Sequence, residues 1–315
     1  MRAAAAAVAA ACACGGGATA PVAPPGAGGS DGSGAAAVDT RELVDCAAID
    51  GPAIPGDKLP AGWSASGRTL TETGGGAAIG VIADAGGSAP TTLAAIGRLR
   101  AQLDAAHVDV VVSLGGMGSS AGDLEAALAA LATGAKWPLV ALPGDTEPVA
   151  AFDAAMTALR AHGVTVVDGR LARWLELPGA TVATIPGAGA AVRSAAGGDG
   201  CGYHAGDVDA IAKQLAAKPG VRVVASTEAP RGADAGEPTG DLALPPHAAD
   251  VVVHAEADAA TVAPAAGGRD GAAASLSPGS TDTTARLPGP AHPASAAILA
   301  IHDGHWTWRV VVDKP

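Results

Sequence analysis

The chain has 315 residues, enough for one large domain or two small ones to fold around their own core. Hydrophobic residues make up 49% but aromatics only 2%, so any core is built from Val, Ile, Leu and Ala in many close, small contacts. The formal net charge is −12 and no Lys/Arg cluster interrupts it, which argues against partners that present a phosphate backbone and so against nucleic-acid binding.

At the N-terminus, Arg2 precedes an apolar run from Ala3 to Ala11, then Cys12, Ala13, Cys14 and three glycines. One basic residue, a short apolar stretch and small residues read as a signal peptide over residues 1–14, too short to span a bilayer. The cysteine after the small residues resembles a bacterial lipoprotein site. That likeness implies lipidation at Cys12 in preference to Cys14, export, and a membrane partner through a lipid anchor in the cell envelope. The alternative is an Ala-rich leader or a misplaced start codon. Residues 15–37 are Gly, Ala, Pro and Ser and read as a flexible tether. Val38 to Gly76, with Pro52, Pro55 and Pro60, reads as an irregular lead-in. Of the remaining cysteines, Cys46 and Cys201 form either a disulfide, which an oxidising compartment would permit, or two separate thiols.

The periodic part is expected over 77–315. A buried strand starts at Ala77 and ends at Asp84. A helix is predicted from Pro90 to Ala106, with Leu93, Ile96, Leu99 and Leu103 at helical spacing. Strands from Val108, Pro138 and Val164 alternate with helices over Ala121 to Ala132 and Val149 to His162, which predicts a largely parallel sheet covered by helices. Beyond that the chain becomes richer in β structure. Two short strands from Trp174 and Thr181 are expected to turn at Gly179-Ala180, and a helix is predicted from Val208 to Ala217. Strands follow from Val221, Asp250, Ala274, Ser295 and His305, the last two flanking the hairpin signal Asp303-Gly304.

In layered α/β folds the functional surface lies beyond the carboxyl ends of the strands. Those ends read Asp84, Gly115-Gly116, Gly144-Asp145-Thr146-Glu147, Ser226-Thr227-Glu228 and His254 to Asp258. A strand ending in Asp, one in Leu-Gly, one in Pro-Gly, one followed by Ala229-Pro230 and one reading Val-Val-Val-His come in that order, with Ser277-Pro278-Gly279-Ser280 after them. From about Ile79 to Val312 this resembles the calcineurin-like metallophosphoesterases. The resemblance implies an α/β fold, a four-layer αββα sandwich of two mixed sheets flanked by helices, with a two-metal site at one edge. In that family bridged ions activate water and neutralise charge on the phosphate.

Residue by residue, the family's first Asp is Asp84, and the His two places on is Gly86. The bridging Asp falls on Gly116. The Asn and its adjacent His fall on Asp145 and Thr146. The lone His falls on Glu228, and the paired histidines of the last motif fall on Glu256 and Asp258, with Ala255 in place of Gly. Without the bridging carboxylate and the imidazoles, the expectation is a fold that has lost the reaction and acts as a binding or structural module, with a protein or small-molecule partner. The second reading keeps hydrolysis: Asp84, Asp145, Glu228, Glu256 and Asp258 are all carboxylates, hard ligands suited to Ca²⁺, Mg²⁺ or Mn²⁺, and would serve a rearranged phosphoesterase. Otherwise these acids simply line solvated loops.

Other motifs are less specific. Gly118-Ser119-Ser120-Ala121-Gly122 fits a hydrolase nucleophile elbow, but so does Gly28 to Gly32 in the tether. Gly115-Gly116-Met117-Gly118 offers backbone N–H groups to a phosphate without a complete dinucleotide fingerprint. His204, His247 and His254 lack ligand-like spacing, and His302 and His305 are expected on the surface. Trp306 and Trp308 share one face of a strand, as packing residues do.

Overall fold

Runs of β-branched residues that end in glycine or a polar side chain become strands here, and the apolar i, i+3, i+4 patterns between them become helices. The computed structural model describes residues 44–55, 59–144, 146–189, 199–231, 242–255, 260–266, 272–282 and 293–313. The leader, Cys12, the tether and the candidate residues Asp145, Glu256 and Asp258 lie outside the described residues. The compact unit runs from Thr40 to Pro315.

The elements in chain order begin with strand β1 (Val44–Asp45), β2 (Trp63–Ser66), β3 (Thr69–Glu72) and β4 (Ala78–Ile82), then helix α1 (Pro90–Ala105). Next come β5 (Val110–Ser113), α2 (Ala121–Ala132), β6 (Leu139–Ala141), α3 (Val149–Ala161) and β7 (Val166–Asp168). The second half holds β8 (Trp174–Leu177), β9 (Ala180–Ile185), β10 (Cys201–Gly202), α4 (Ala205–Ala216), β11 (Val221–Ser226) and β12 (Val251–His254). It closes with β13 (Thr261–Ala266), β14 (Ala272–Ser277), β15 (Ser295–His302) and β16 (His305–Val312).

Among the described residues β1 and β10 pair in a parallel two-stranded ribbon, and the other fourteen strands form two mixed sheets. One has six strands in the order β16-β15-β4-β5-β6-β7, with β4 to β7 parallel and β15 and β16 antiparallel. The other has eight, in the order β13-β14-β12-β11-β9-β8-β3-β2. Alternation along each strand sends one set of side chains between the sheets: Ile79, Val81, Val110, Val112 and Leu299 from the first meet Val182, Val223, Val251 and Leu276 from the second. The opposite face of the six-stranded sheet, including Ile82, Val111 and Leu139, packs under α1, α2 and α3 through Leu99, Leu128 and Phe152. The outer face of the eight-stranded sheet, with Val224 and Val252, packs under α4 through Val208, Ile211 and Leu215. The result is four layers, helix, sheet, sheet, helix. No helix among the described residues is long and apolar enough to cross a membrane.

Three details correct the sequence reading. The lead-in is not irregular: Trp63–Ser66 and Thr69–Glu72 form a hairpin that extends the eight-stranded sheet, with β3 parallel to β8. The hairpin lies at a sheet edge, is only partly buried and carries few apolar residues, which leaves it without the continuous apolar run of the inner strands. The turn between β8 and β9 is Pro178-Gly179, not Gly179-Ala180, since Leu177 pairs with Ala180 and Gly179 supplies the positive φ of 76°. Helix α4 begins three residues early, because Asp207 Oδ2 accepts the His204 N–H and caps the first turn. The Asp303-Gly304 turn is as expected: both residues have positive φ, 50° and 77°, the requirement of a two-residue type I′ hairpin.

Two arginines fasten the lead-in to the sandwich. Arg68 Nη1 donates to the carbonyls of Ala48 and Ile49 at 2.6 and 2.8 Å, while its Nε reaches Leu171 O at 3.2 Å. Arg173 is fully buried; its Nη2 donates to Cys46 O at 3.0 Å and its Nη1 to Thr184 O. Burial, with Arg68 nearby, pushes the Arg173 pKa down to about 9, so the group stays charged at neutral pH. Replacing it by an apolar side chain of similar reach leaves those carbonyls buried without donors. Arg173→Met is therefore expected to lower unfolding free energy by on the order of 3 kcal/mol, read from denaturant midpoints, whereas a change within experimental error would show that these bonds contribute nothing.

Candidate functional site

The two sheets meet at the carboxyl ends of their strands. After β4, the Asp84 carbonyl accepts the N–H groups of Thr281 and Asp282 at 3.1 and 2.7 Å and the Ser280 hydroxyl at 2.9 Å. The loop after β14 in the eight-stranded sheet is thereby fixed to the end of β4 in the other. The Ser277-Pro278-Gly279-Ser280 segment sits in this join, with Ser295 Oγ donating to Pro278 O at 2.7 Å. A second join lies beside it. Thr227 Oγ1, just past β11, donates to Pro143 O at 3.4 Å and accepts from Gly187 N at 3.3 Å, and Gly187 N also donates to Pro143 O at 3.1 Å. The ends of β4, β5, β6, β9, β11 and β14 thus form one edge.

Asp84 has a positive φ of 52°, a conformation that Asp tolerates better than most residues. Its N–H donates to Gly115 O at 3.0 Å, and Gly86 N donates to Gly116 O at 2.9 Å, so the β4 and β5 loops run side by side. This brings the Asp84 carboxylate directly over Gly116. A Cβ placed on Gly116 would collide with Asp84 Oδ1 and lie 2.9 Å from Asp84 Cα, and Gly116 has φ 71°. The absence of a side chain at 116 is thus a steric condition for this placement of Asp84. On the other side, a Cβ at Gly86 would meet Asp282 Oδ2 at 2.6 Å, so a second carboxylate fills the space beside that residue.

Beneath the edge lies Glu147, which belongs to the strand-end segment 144–147 but is absent from the predicted ligand set. It is almost completely buried. Its Oε1 accepts the Met117 N–H at 2.8 Å and its Oε2 accepts the Gly144 N–H, so one carboxylate ties the β5 loop to the β6 loop. Burial pushes its pKa up to about 7; the backbone N–H groups of Gly144, Met117 and, least, Gly118 oppose that rise and the Asp84 charge adds to it. Ionisation therefore weakens folding: the contribution is complete below the ordinary carboxyl pKa and is lost as pH rises through about 7. A sequence signal existed, an acid three residues after the strand-ending Pro143-Gly144, but nothing in the chain distinguishes an inward acid from a solvated one.

Glu228 is also buried, and its Oε2 accepts from Gly189 N at 2.9 Å and from the Tyr203 hydroxyl. Of the five predicted ligands, Asp84 and Glu228 are the two that the structure describes. Among the described residues no group of three or more His, Cys, Asp and Glu side chains is placed to hold a metal ion. Cys46 and Cys201 form a disulfide, with their Cα atoms 5.4 Å apart, which decides between the two readings of that pair.

The competing motifs fall into ordinary structural places. Ser120 is the N-cap of α2: its Oγ accepts from Asp123 N at 3.2 Å and donates to Asp123 Oδ2 at 2.7 Å. Met117 N, in the glycine-rich loop, donates to Glu147. His302 and His305 are exposed at the terminal turn, and Trp306 and Trp308 pack against the core between the sheets. A cleft of 340 Å³ lined by Gly220, Val221, Asp250, Gly304, His305 and Trp306 lies at the opposite edge, at the start of β11.

His254 ends β12 almost fully buried, with Nε2 2.9 Å from Ser275 Oγ and no hydrogen-bond partner for Nδ1 among the described residues. Burial pushes its pKa down to about 4, so the imidazole is neutral at pH 7. Its contribution to stability is present above the ordinary histidine pKa of 6.5 and is lost as pH falls through about 4. Thermal unfolding at pH 7 and pH 4.5 is expected to show a loss up to about 3 kcal/mol larger in the wild type than in His254→Gln, the opposing gain from Glu147 being common to both proteins. Equal losses in both proteins would remove His254 as the cause.

No family model matches the chain, and no curated protein matches it. Its fold is similar to that of TT1561 of Thermus thermophilus, a crystal structure aligned over 74% of this chain and 98% of that one at 14% identity, with a TM-score of 0.51. A second solved structure covers 74% of this chain and 98% of its own at 13% identity, with a TM-score of 0.49. At 14% identity the likeness to TT1561 is one of fold alone.

Proposed function

We propose that this chain is an exported envelope protein, lipid-anchored through Cys12, whose metallophosphoesterase-like sandwich has lost two-metal hydrolysis and acts as a binding or structural module. The placement of Asp84 over Gly116 is the observation that carries this reading. Position 116 is where the resembled family has its bridging carboxylate, and here a side chain starting from that backbone meets Asp84 Oδ1. The described residues at this edge do not fit a two-metal centre. Glu147 joins two of its loops through backbone N–H groups, and the Glu228 carboxylate faces Tyr203 and Gly189. The order of strand ends and the four-layer arrangement support the family likeness; the change of ligands supports loss of the reaction. The leader supports export and the anchor.

The test uses the full-length chain with Ca²⁺, Mg²⁺, Mn²⁺ and Zn²⁺ in calorimetric titrations, followed by aryl phosphomonoester and phosphodiester assays with each ion. The expected result is no saturable binding at millimolar cation and no turnover above background. Turnover that chelator abolishes and Asp84→Ala removes would overturn the proposal in favour of a phosphoesterase with a rearranged, carboxylate-rich site.

A further inference from the structure

The Cys46–Cys201 disulfide spans 155 residues of sequence and joins the lead-in to the segment that carries Tyr203. On the lead-in side, Cys46 follows β1, which pairs in parallel with β10 through two bonds, Val44 N to Gly200 O at 3.0 Å and Cys46 N to Gly202 O at 2.9 Å. Arg173 holds the Cys46 carbonyl, and Arg68 holds those of Ala48 and Ile49, so this side stays fastened without the sulfur bridge. On the other side, Cys201 O accepts from Ala188 N at 3.2 Å, and Tyr203 N donates to Ala188 O at 3.1 Å. The strip Cys201-Gly202-Tyr203 is therefore clasped between β1 and the loop after β9. The same strip and loop supply two groups that hold Glu228 at the end of β11, the Tyr203 hydroxyl and the Gly189 N–H.

From this chain of contacts we infer that the disulfide is a redox latch for Glu228. Oxidised, it keeps the strip in place and the carboxylate buried between Tyr203 and Gly189. Reduced, the strip keeps its backbone hydrogen bonds to β1 and Ala188 but loses its covalent tie, so it opens locally and frees the Glu228 side chain from Tyr203 and Gly189. Cys201 is fully buried and Cys46 nearly so, but β1 just before it is two residues long and exposed, so opening of Val44 and Asp45 uncovers the Cys46 sulfur while Arg173 keeps hold of its carbonyl. A dithiol reductant then attacks through one thiolate to give a mixed disulfide. Its second thiolate displaces the remaining protein sulfur, and Cys46 and Cys201 leave as two thiols. Two electrons and two protons pass from the reductant, which closes as its own disulfide. This inference does not rest on the proposed function.

Tyr203 is the single tyrosine of the chain, so ring-labelled tyrosine gives one nuclear magnetic resonance signal from the contact itself. In the full-length oxidised protein, every free thiol at Cys12 and Cys14 is first alkylated; dithiothreitol is then added, and the release of two further thiols verifies reduction. The expected outcome is a shift of the tyrosine signal toward that of an exposed ring. Amide exchange at Gly189 and Tyr203 should also become about tenfold faster or more, with β4, β5 and β11 still protected. Cys46→Ser should show the same pattern without reductant; if it does not fold, the reduced wild type decides. Two released thiols with an unchanged tyrosine signal would overturn the latch. Loss of protection throughout the domain would also overturn it, since the bridge would then be a staple for the whole fold.

Discussion

The strand-end edge depends on how closely Gly116 lets the β5 loop approach Asp84. The two loops share backbone hydrogen bonds, and the Asp84 carboxylate occupies the space that any side chain at 116 would enter. From that contact follow the position of the Asp84 carbonyl, the docking of Thr281 and Asp282 on it, and the closure of one sheet on the other. A change at 116 would disturb the join of the two sheets as well as any chemistry, because the same backbone carries both.

Buried charge is handled here in two ways, by ion pairs such as Arg222–Asp250 and Arg170–Asp168 and by backbone dipoles. Glu147 is met by two N–H groups, and Arg173 and Arg68 are met by carbonyls of the lead-in and of the segment before β8. Such ions hold loops whose backbone groups would otherwise be buried without partners. In a chain with almost no aromatic rings, the aliphatic layers give area but little directional information, and these few ions supply it. The cost is a dependence on protonation: the buried acid and the buried imidazole pull stability in opposite directions across the pH range.

Much of the fold was legible because Val-rich strands are short, continuous and punctuated by glycine. The strands around Val111, Val140, Val223 and Val252, and the helices between them, follow directly from that pattern. What escaped had no such signal. The β2–β3 hairpin is half-exposed and polar, β10 is two residues long, and β13 carries Pro264, which is tolerated because that strand is at a sheet edge. The edge that gathers the strand ends was legible from where the apolar runs stop, so Asp84, Gly116 and Glu228 were placed at the right ends. The inward turn of Glu147 and the partnership of Glu228 with Tyr203 were not legible, since they depend on contacts over tens of residues. The pairing of Cys46 with Cys201 was open for the same reason.

The left-handed backbone at Asp84 bears on how this position should be read across related chains. Asp, Asn and Gly all enter that region readily, whereas β-branched residues do so at a cost of about 1–2 kcal/mol. Exchange among those three at residue 84 would thus record the shape of a turn, and persistence of Asp there is not by itself a trace of catalysis. A better evolutionary marker is the pair of positions 84 and 116 taken together. A carboxylate introduced at 116 would need the side chain at 84 to retreat, so the two should change in concert and not one at a time.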